Sequence, residues 1–400
     1  MQDLRPLFVP TNNAGVTYWR MYNFVNSAQR NKIMNAWLMW WQKDLKEVHP
    51  WQFDVDITEH KYRIMGELDQ RVRSADICIM QTAHTAHSLN VFKSIRDAQS
   101  YLGKGVTLAE VDDNIYSTPT YNPASSCYNP NSPLRLIATE HYKSADAMIV
   151  STPYLKEVYE DCNKYIYVVP NCIDFKLWDK VKRKKKKGLR IGWSGGAAHK
   201  EDLEIILPVI KEFGVKYPEI KFVFLHGAPD FIRDLPNVEY HQKFARIDKY
   251  PQYVGSQGID IGLAPLVDNA FNRGKSNLKF LEWSALSIPT VASNVGNFKE
   301  TIKNGKEALL CNNAKDFFTN LETLAKNSKV RKTMGRVARD KVFRDFNVDE
   351  VTRDYEKILR EVYDRGQILK DDDASEDITT QCPTLNSLSK LEIEEQRIGG

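Results

Sequence analysis

The chain reads as an α/β protein built from two doubly wound, parallel-sheet domains. Three observations predict this. Short apolar runs suited to buried strands alternate with helical periodicities, that alternation begins twice, and a basic run separates the two series. A length of 400 residues suits two domains, each with a sizeable core.

The first series opens with a strand over 5–12 (RPLFVPTN). A loop, NNAGVTYWR, follows with Gly15 at its centre. A long amphipathic helix is predicted next, because Ile33, Trp37, Trp40, Trp41, Leu45 and Val48 fall at helical spacing. Strands are predicted over 77–80, 106–111, 147–151 and 167–170, with helical patterns at 88–102 and 134–144. Residues 182–187, KRKKKK, interrupt the pattern. The second series runs LRIGWSGG, a helix near 202–217, KFVFLHG, a turn, VEYHQKF, and a buried strand over 259–265. After a polar loop come a helix from about 278, a strand over 289–292, a Gly-containing turn and another helix. A helix over 349–365 closes the fold, and the polar, acidic residues 367–400 read as a mobile tail. The expected units are therefore 1–175, a basic linker over 176–188, 189–348, the helix through 366, and the tail.

Composition is that of a globular protein. Apolar runs such as 33–41 are too short to span a bilayer, and no charged-then-apolar leader opens the chain, so a cytoplasmic location is expected. The six cysteines are scattered with no CxxC pair, which argues for reduced thiols and against a structural zinc site. The net charge of +4 hides an asymmetry. Residues 367–400 carry 8 acidic and 3 basic side chains, leaving about +9 on the rest, which suits an anionic ligand.

The most informative stretch is 259–311. Its strand, polar loop and helix N-terminus, in that order, make an anion site, since free backbone N–H groups and the helix dipole point at the loop. Arg273, Lys275 and Lys279 sit within a turn of that helix start, where cations oppose the dipole and so need a reason, and Ser276 lies among them. Glu282, on the same helix, is placed to accept hydrogen bonds from sugar hydroxyls; its bland alternative is a pair with Lys279. Diphosphate plus hydroxyl-rich sugar is the chemistry of a nucleotide sugar.

On these residues the chain resembles the retaining family-4 glycosyltransferases, which have the two-domain GT-B fold of facing Rossmann-like domains. The family frames its donor site with a Glu, seven intervening residues and a second Glu. The second falls on Glu282, within "EWSALSIPTVAS", and the first falls on Gly274, a departure that leaves the usual contact to the donor sugar unassigned. "VVPNCIDFKLWD" resembles the family's PNG(V/I)D hinge, with Cys172 in place of the Gly. The resemblance covers most of 145–365 and implies that the last helix crosses back onto the first domain. Together with "VSTPYLKEVY", these phrases look like the stand-alone glycosyltransferases of bacteriophages, which would place the protein in the cytoplasm of a bacterial host.

Further candidates follow from position. In the loop IGWSGGAAHKEDL, Gly195 and Gly196 permit close approach to phosphate. Trp193 stands where the family carries an Arg, and His199 or Lys200 stands near its Lys; Gly195, Gly196 and Lys200 are expected as donor contacts, with a plain helix start bearing exposed charge as the alternative. Gly15 sits where the family's first loop approaches the donor phosphates, and Arg20 either salt-bridges locally or reaches a phosphate. Asp112 and Asp113 end a buried strand, where ligands gather in doubly wound sheets, and either orients or deprotonates an acceptor hydroxyl or merely caps a turn. His84, and beyond it His87, follow the strand ICIM in the same way. The tryptophan stripe suits core packing, with membrane contact or base stacking as alternatives.

The expected activity is transfer from a nucleotide-diphosphate sugar, most simply a UDP-sugar, with retention and without a metal or other cofactor. Positive side chains would stabilise the leaving diphosphate, although "VDD" at 111–113 leaves metal binding open. The leading acceptor is a hydroxymethylated pyrimidine such as hydroxymethylcytosine in phage DNA, suggested by the basic body, KRKKKK and the tryptophans. A cell-envelope or capsular glycan is the alternative, and a non-catalytic nucleotide-sugar sensor is a third.

Overall fold

The computed structural model describes residues 3–11, 15–39, 55–58, 61–64, 66–103, 105–122, 124–196, 199–242 and 245–375. The first half carries β1 (Pro6–Val9), β2 (Trp37–Leu38), a hairpin of β3 (Val55–Thr58) and β4 (Lys61–Ile64), β5 (Ile77–Gln81), β6 (Val106–Val111), β7 (Ala147–Val150) and β8 (Ile166–Val168). The second carries β9 (Arg190–Ser194), β10 (Lys221–Leu225), β11 (Val238–His241), β12 (Ile261–Ala264), β13 (Thr290–Ser293) and β14 (Leu309–Cys311). They form two six-stranded sheets in the orders β2-β1-β5-β6-β7-β8 and β11-β10-β9-β12-β13-β14. Every neighbouring pair in both is parallel.

The strands read as continuous apolar runs because both faces are covered. In β1, Leu7 and Val9 enter one core and Phe8 the other, and in β5 Cys78 and Met80 oppose Ile77 and Ile79. In β10, Phe222 and Phe224 oppose Val223 and Leu225. The strand orders also fix where a ligand belongs. In the first sheet the chain reverses direction between β1 and β5, and in the second between β9 and β12. Crevices open outside the C-terminal ends of strands at such switch points, and here the two crevices face each other.

The chain crosses between the halves twice. Around the first crossing, Ile173 donates to the Phe346 carbonyl and accepts from Val348, at 2.8 and 2.9 Å. After the second, the helix Val348–Ser375 returns to the first half and buries Val348, Val351, Tyr355, Leu359 and Val362, one stripe at helical spacing, in that half's core.

Several expectations need correction. Gly15 opens a helix rather than centring a loop. That helix runs through Gly15–Thr17, a π-helical turn at Tyr18–Tyr22 and Asn23–Asn31, ending where Lys32 turns left-handed (φ 52°). The predicted long helix therefore does not start at 33. Trp37 lies in β2 instead, paired with Leu7 and covered by the Arg71 guanidinium, because an unpaired edge of β1 offers a ladder that outweighs a helical spacing of apolar residues. Trp40, Trp41, Leu45 and Val48 lie outside the described residues. The helix near 202–217 is two, Lys200–Glu204 and Leu207–Lys216, with Pro208 in the first turn of the second, where its missing N–H costs nothing. The last helix continues past 366 to Ser375, so the first residues of the expected tail are helical, and 376–400 lie outside the described residues.

The returning helix makes a prediction. The Tyr355 ring packs edge-on against Phe8 and Phe24, with centroids 6.0 and 5.2 Å away. Its hydroxyl is buried with no hydrogen-bond partner among the described residues. Tyr355→Ala should cost about 3–5 kcal/mol in urea unfolding, as for truncation of a buried aromatic. Tyr355→Phe should be neutral or stabilising, because it removes an unsatisfied polar atom. A loss above about 1 kcal/mol for the Phe variant would show that the hydroxyl is bonded.

Candidate active site

Between the facing strand ends lies a cleft of about 820 Å³. Its wall on the second half is laid out by one stretch of chain. After β12 the chain makes a short helix, Ala270–Arg273, capped by the Asn269 side chain, then turns into the helix Leu278–Ala285. Lys275, Ser276, Lys279 and Glu282 from this stretch all line the cleft.

Glu282 is 8 % exposed and accepts a 3.0 Å hydrogen bond from the Tyr250 hydroxyl. Tyr250 is 3.0 Å from Ser194 Oγ, which is 3.3 Å from His226 Nδ1. Burial pushes the Glu282 carboxyl up to about 7, against the opposing pull of Tyr250 and Lys279. Ser194, His226 and Tyr250 were not found from sequence. Ser194 ends β9 and His226 follows β10, so their position at strand ends was a usable signal. A further one is the His-Gly pair after β10: His226 holds φ 73°, uncommon for a non-glycine residue and concentrated at functional sites. Tyr250, on a separate helix, gave no local signal.

Of the glycine loop after β9, Gly195 and Gly196 line the cleft. A side chain at 195 would start 2.6 Å from the Trp193 ring and 3.1 Å from His199, so this turn needs glycine. Trp193, in the position of the expected Arg, is 2 % exposed and belongs to the core. His199 is in the cleft, whereas Lys200 is exposed and outside it. The expectation that Lys200 joins the two glycines as a donor contact is thus corrected: the helix start turns its side chain to solvent and its neighbour His199 inward. Arg273 is likewise not brought to the cleft: it is half-exposed and bonded to Asp268 at 2.7 Å on the same loop. Its place one residue before Gly274 puts it on the outer side of the short helix.

The opposite wall belongs to the first half. Gly15 lines it at the start of its helix. Asp112 and Asp113 follow β6, and Lys275 Nζ reaches across the cleft to Asp113 Oδ1 at 2.7 Å. Burial, with the neighbouring Asp113 carboxylate, drives the Asp112 carboxyl well above the usual carboxylate range. Beside these two acids opens an annexe of about 330 Å³ that also takes in His84, Tyr128, Thr118 and Asn122. His84 Nδ1 is 2.7 Å from the Tyr128 hydroxyl, and burial lowers its pKa. His87 lines neither cavity. Arg20 takes the local alternative: 1 % exposed, it bonds Glu110 at 2.6 Å, the Val169 carbonyl at 2.7 Å and Asn171 at 3.1 Å, beneath the floor of the cleft.

Gly274, where the resemblance expects a sugar-binding Glu, has no side chain to fill that role and sits in a tight place. A Cβ there would lie 2.9 Å from Leu155 and 3.3 Å from Asn114, both of the first half.

Residues 207–357 match the family described as "Glycosyl transferase-like". The match lies wholly within the second half of the chain and takes in the stretch that carries Lys275, Lys279 and Glu282. No curated protein matches the chain. Among solved structures, the chain is similar to a sucrose-phosphate synthase from Thermosynechococcus elongatus (TM-score 0.61, 13 % identity, covering 90 % of this chain and 100 % of that one). It is similar to Anabaena HepE in complex with UDP and glucose (0.61, 14 %, 90 % and 100 %) and to a glycosyltransferase from Rickettsia africae (0.58, 14 %, 90 % and 99 %). At these identities the likeness is one of fold, and that fold is GT-B: two facing parallel six-stranded sheets.

The buried carboxyl gives a signed prediction. The pKa of Glu282 is about 7 when folded and near 4.5 when unfolded, so its ionisation costs the fold nothing below pH 4.5 and its full penalty above 7. Glu282→Gln, which still accepts from Tyr250, should raise stability at pH 7.5 by on the order of 1–3 kcal/mol and leave it unchanged near pH 4.5. Denaturant unfolding at the two pH values checks this, and a loss of stability at pH 7.5 would show the charge to be compensated.

Proposed function

We propose that the protein transfers a sugar from a nucleotide diphosphate, a UDP-sugar in the first instance, to a hydroxyl of an acceptor bound against the first half. The single observation that carries this is that Lys275, Ser276, Lys279 and Glu282, from one loop and helix start, line the same cleft as the Gly15 and Gly195 turns. Two ammonium groups and close backbone meet a diphosphate, and a half-buried network around Glu282 meets hydroxyls. The UDP and glucose in the HepE structure support a UDP-sugar as the donor to try first.

In this reaction the glycosidic C–O bond to the diphosphate breaks while positive charge from Lys275 and Lys279 stabilises the leaving oxygen. We propose that these lysines do this without a metal ion. The configuration would be retained if the acceptor hydroxyl attacks from the leaving-group face, with the departing phosphate taking its proton. Asp113, already held by Lys275, is poorly suited to be a strong base. Asp112, pushed up by burial and its neighbour, is the better candidate in an inverting reaction.

For the acceptor, we favour a neutral, hydroxyl-rich sugar of a glycan over hydroxymethylated DNA. The annexe is bounded by three carboxyl groups, Glu110, Asp112 and Asp113, by the Lys275 ammonium, a histidine, a tyrosine and small polar side chains, a lining rich in hydrogen-bonding partners for hydroxyls. The basic run faces elsewhere. The Lys184 backbone N–H bonds the Gly255 carbonyl, the Arg183 side chain bonds the carbonyls of Ile259 and Leu286, and Lys186 pairs with Glu239. These contacts place 182–187 at the N-terminal edge of β9, while Ser194 at its other end lines the cleft.

Incubating the protein with a panel of nucleotide sugars, glycan acceptors and hydroxymethylcytosine DNA, read by mass spectrometry, tests the assignment. Transfer should persist in EDTA. Lys275→Ala should weaken donor binding and rate at least about tenfold, as expected for loss of a charge-assisted contact. Transfer to DNA that falls steeply with salt would reverse the acceptor choice. Donor binding without transfer or hydrolysis would indicate a sensor, and no binding of any nucleotide sugar would end the proposal.

A further inference from the structure

Between the glycine loop and the donor-side helix, three side chains stand in line. Asp202 is fully buried. Its Oδ1 accepts from the Val267 N–H and from Asn272 Nδ2, both at 2.8 Å. Its Oδ2 is 2.7 Å from His199 Nδ1, and His199 Nε2 is 3.0 Å from Lys279 Nζ. One proton assignment satisfies all of these contacts. An ammonium only donates, so Nε2 must carry the lone pair, and Nδ1–H then donates to Asp202.

We infer that Asp202 and His199 are positioning residues that aim Lys279 into the cleft as a charged donor for the ligand's diphosphate. The inference rests on the donor site proposed above. It explains why His199, rather than Lys200, occupies the cleft. A neutral imidazole fixes the direction of an ammonium without cancelling its charge. The contrast is with Lys275, whose charge is met by Asp113.

The surroundings of Lys279 set when that charge is present. It is faced by Asp202 and His199 from the helix Lys200–Glu204 and its start, by Glu282 on its own helix, by Lys275 from the preceding loop, and by the Trp193 ring 5.9 Å away. Burial pulls Lys279 down to about 8; the Asp202 and Glu282 carboxylates oppose this and Lys275 adds to it. Burial, helped by the Lys279 charge, holds His199 neutral down to about 4. Raising the pH through 8 therefore removes the Lys279 charge and, with it, attraction for a diphosphate. Removing the Asp202 carboxylate lowers the Lys279 pKa and moves that loss to lower pH.

The test has two arms on the full-length protein. The first is ligand-free: NMR titration of lysine Cε in the wild type, with the Lys279 signal identified by its absence in Lys279→Met. The relay predicts titration near 8, and a downward move of roughly half a unit or more in Asp202→Asn. Titration at the ordinary lysine value of 10.5, or an unmoved signal in a folded Asp202→Asn, overturns it. The second arm is calorimetric titration with UDP from pH 7 to 9.5. Wild-type affinity should fall across pH 8, Lys279→Met should bind at least about tenfold more weakly at pH 7 and lose this limb, and His199→Leu should shift the limb down. His199→Gln, which keeps a neutral acceptor, should restore it. A merely structural His199 would lower the melting temperature in both variants and leave the limb in place. If the lysine titrates as predicted and no nucleotide binds, the relay stands and the nucleotide-sugar assignment falls.

Discussion

The cleft depends on a close approach at Gly274. The backbone there lies so near Leu155 and Asn114 that a side chain would require them to shift, and the residues around it are fastened to the first half. Thr152 Oγ1 donates to the Gly274 carbonyl at 3.2 Å, and Asn114 Nδ2 to the Ala270 carbonyl at 3.1 Å. Asn171 Nδ2 donates to Ser276 Oγ at 2.8 Å, and Lys275 reaches Asp113. One segment, 270–276, thereby sets the width of the cleft and the direction of the helix that carries Lys279 and Glu282. A glutamate at 274 would crowd the Leu155 side chain and the Asn114 Cβ, so glycine at this departure from the family pattern suits the close approach of the halves.

Below the cleft the protein bears two kinds of buried charge. Arg20 and Glu110 bond each other, and Asn171, Gln81 and the Val169 carbonyl complete the set. Breaking such a pair typically costs about 3–5 kcal/mol, because the surviving partner is left uncompensated, so its task is to hold the helix from Gly15 onto β6. Glu282, Lys279 and Asp112 are different. Burial displaces each toward its neutral form, and no interior partner fully repays the cost. Groups held in that condition beside a cavity mark a site whose compensation comes from a ligand.

The alternation of strands and helices was legible because parallel strands covered on both faces leave continuous apolar runs such as ICIM and KFVFL. The loop that brings Lys275 and Lys279 to the cleft stood out because cations at a helix start oppose the dipole. Failures came where tertiary contacts decide. The spacing of Ile33 and Trp37 is helical, yet the open edge of β1 recruits Trp37 as a strand. Arg273 and Lys275 look alike in sequence, but Asp268 captures one and Asp113 the other. His199 and Lys200 differ by one position, and only the start of the helix decides which turns inward. The network of Glu282, Tyr250, Ser194 and His226 joins residues from four separate elements, so no window of sequence contains it.

The charges on the two walls of the cleft are mixed. The second half presents Lys275 and Lys279 together with Glu282, Arg246 and Asp248, and the first half presents Asp112, Asp113 and Asp174 together with Arg30. The contact between Lys275 and Asp113 lies on the boundary, where a diphosphate and an acceptor hydroxyl would meet. In the proposed reaction the incoming diphosphate competes for Lys275, and each step by which the ammonium turns toward phosphate frees Asp113 to accept a hydrogen bond. Lys279 has no such divided allegiance, because its partner is a neutral imidazole. The two lysines therefore do different work. Lys279 supplies standing attraction for the anion, while Lys275 links the arrival of the donor to the readiness of the opposite wall.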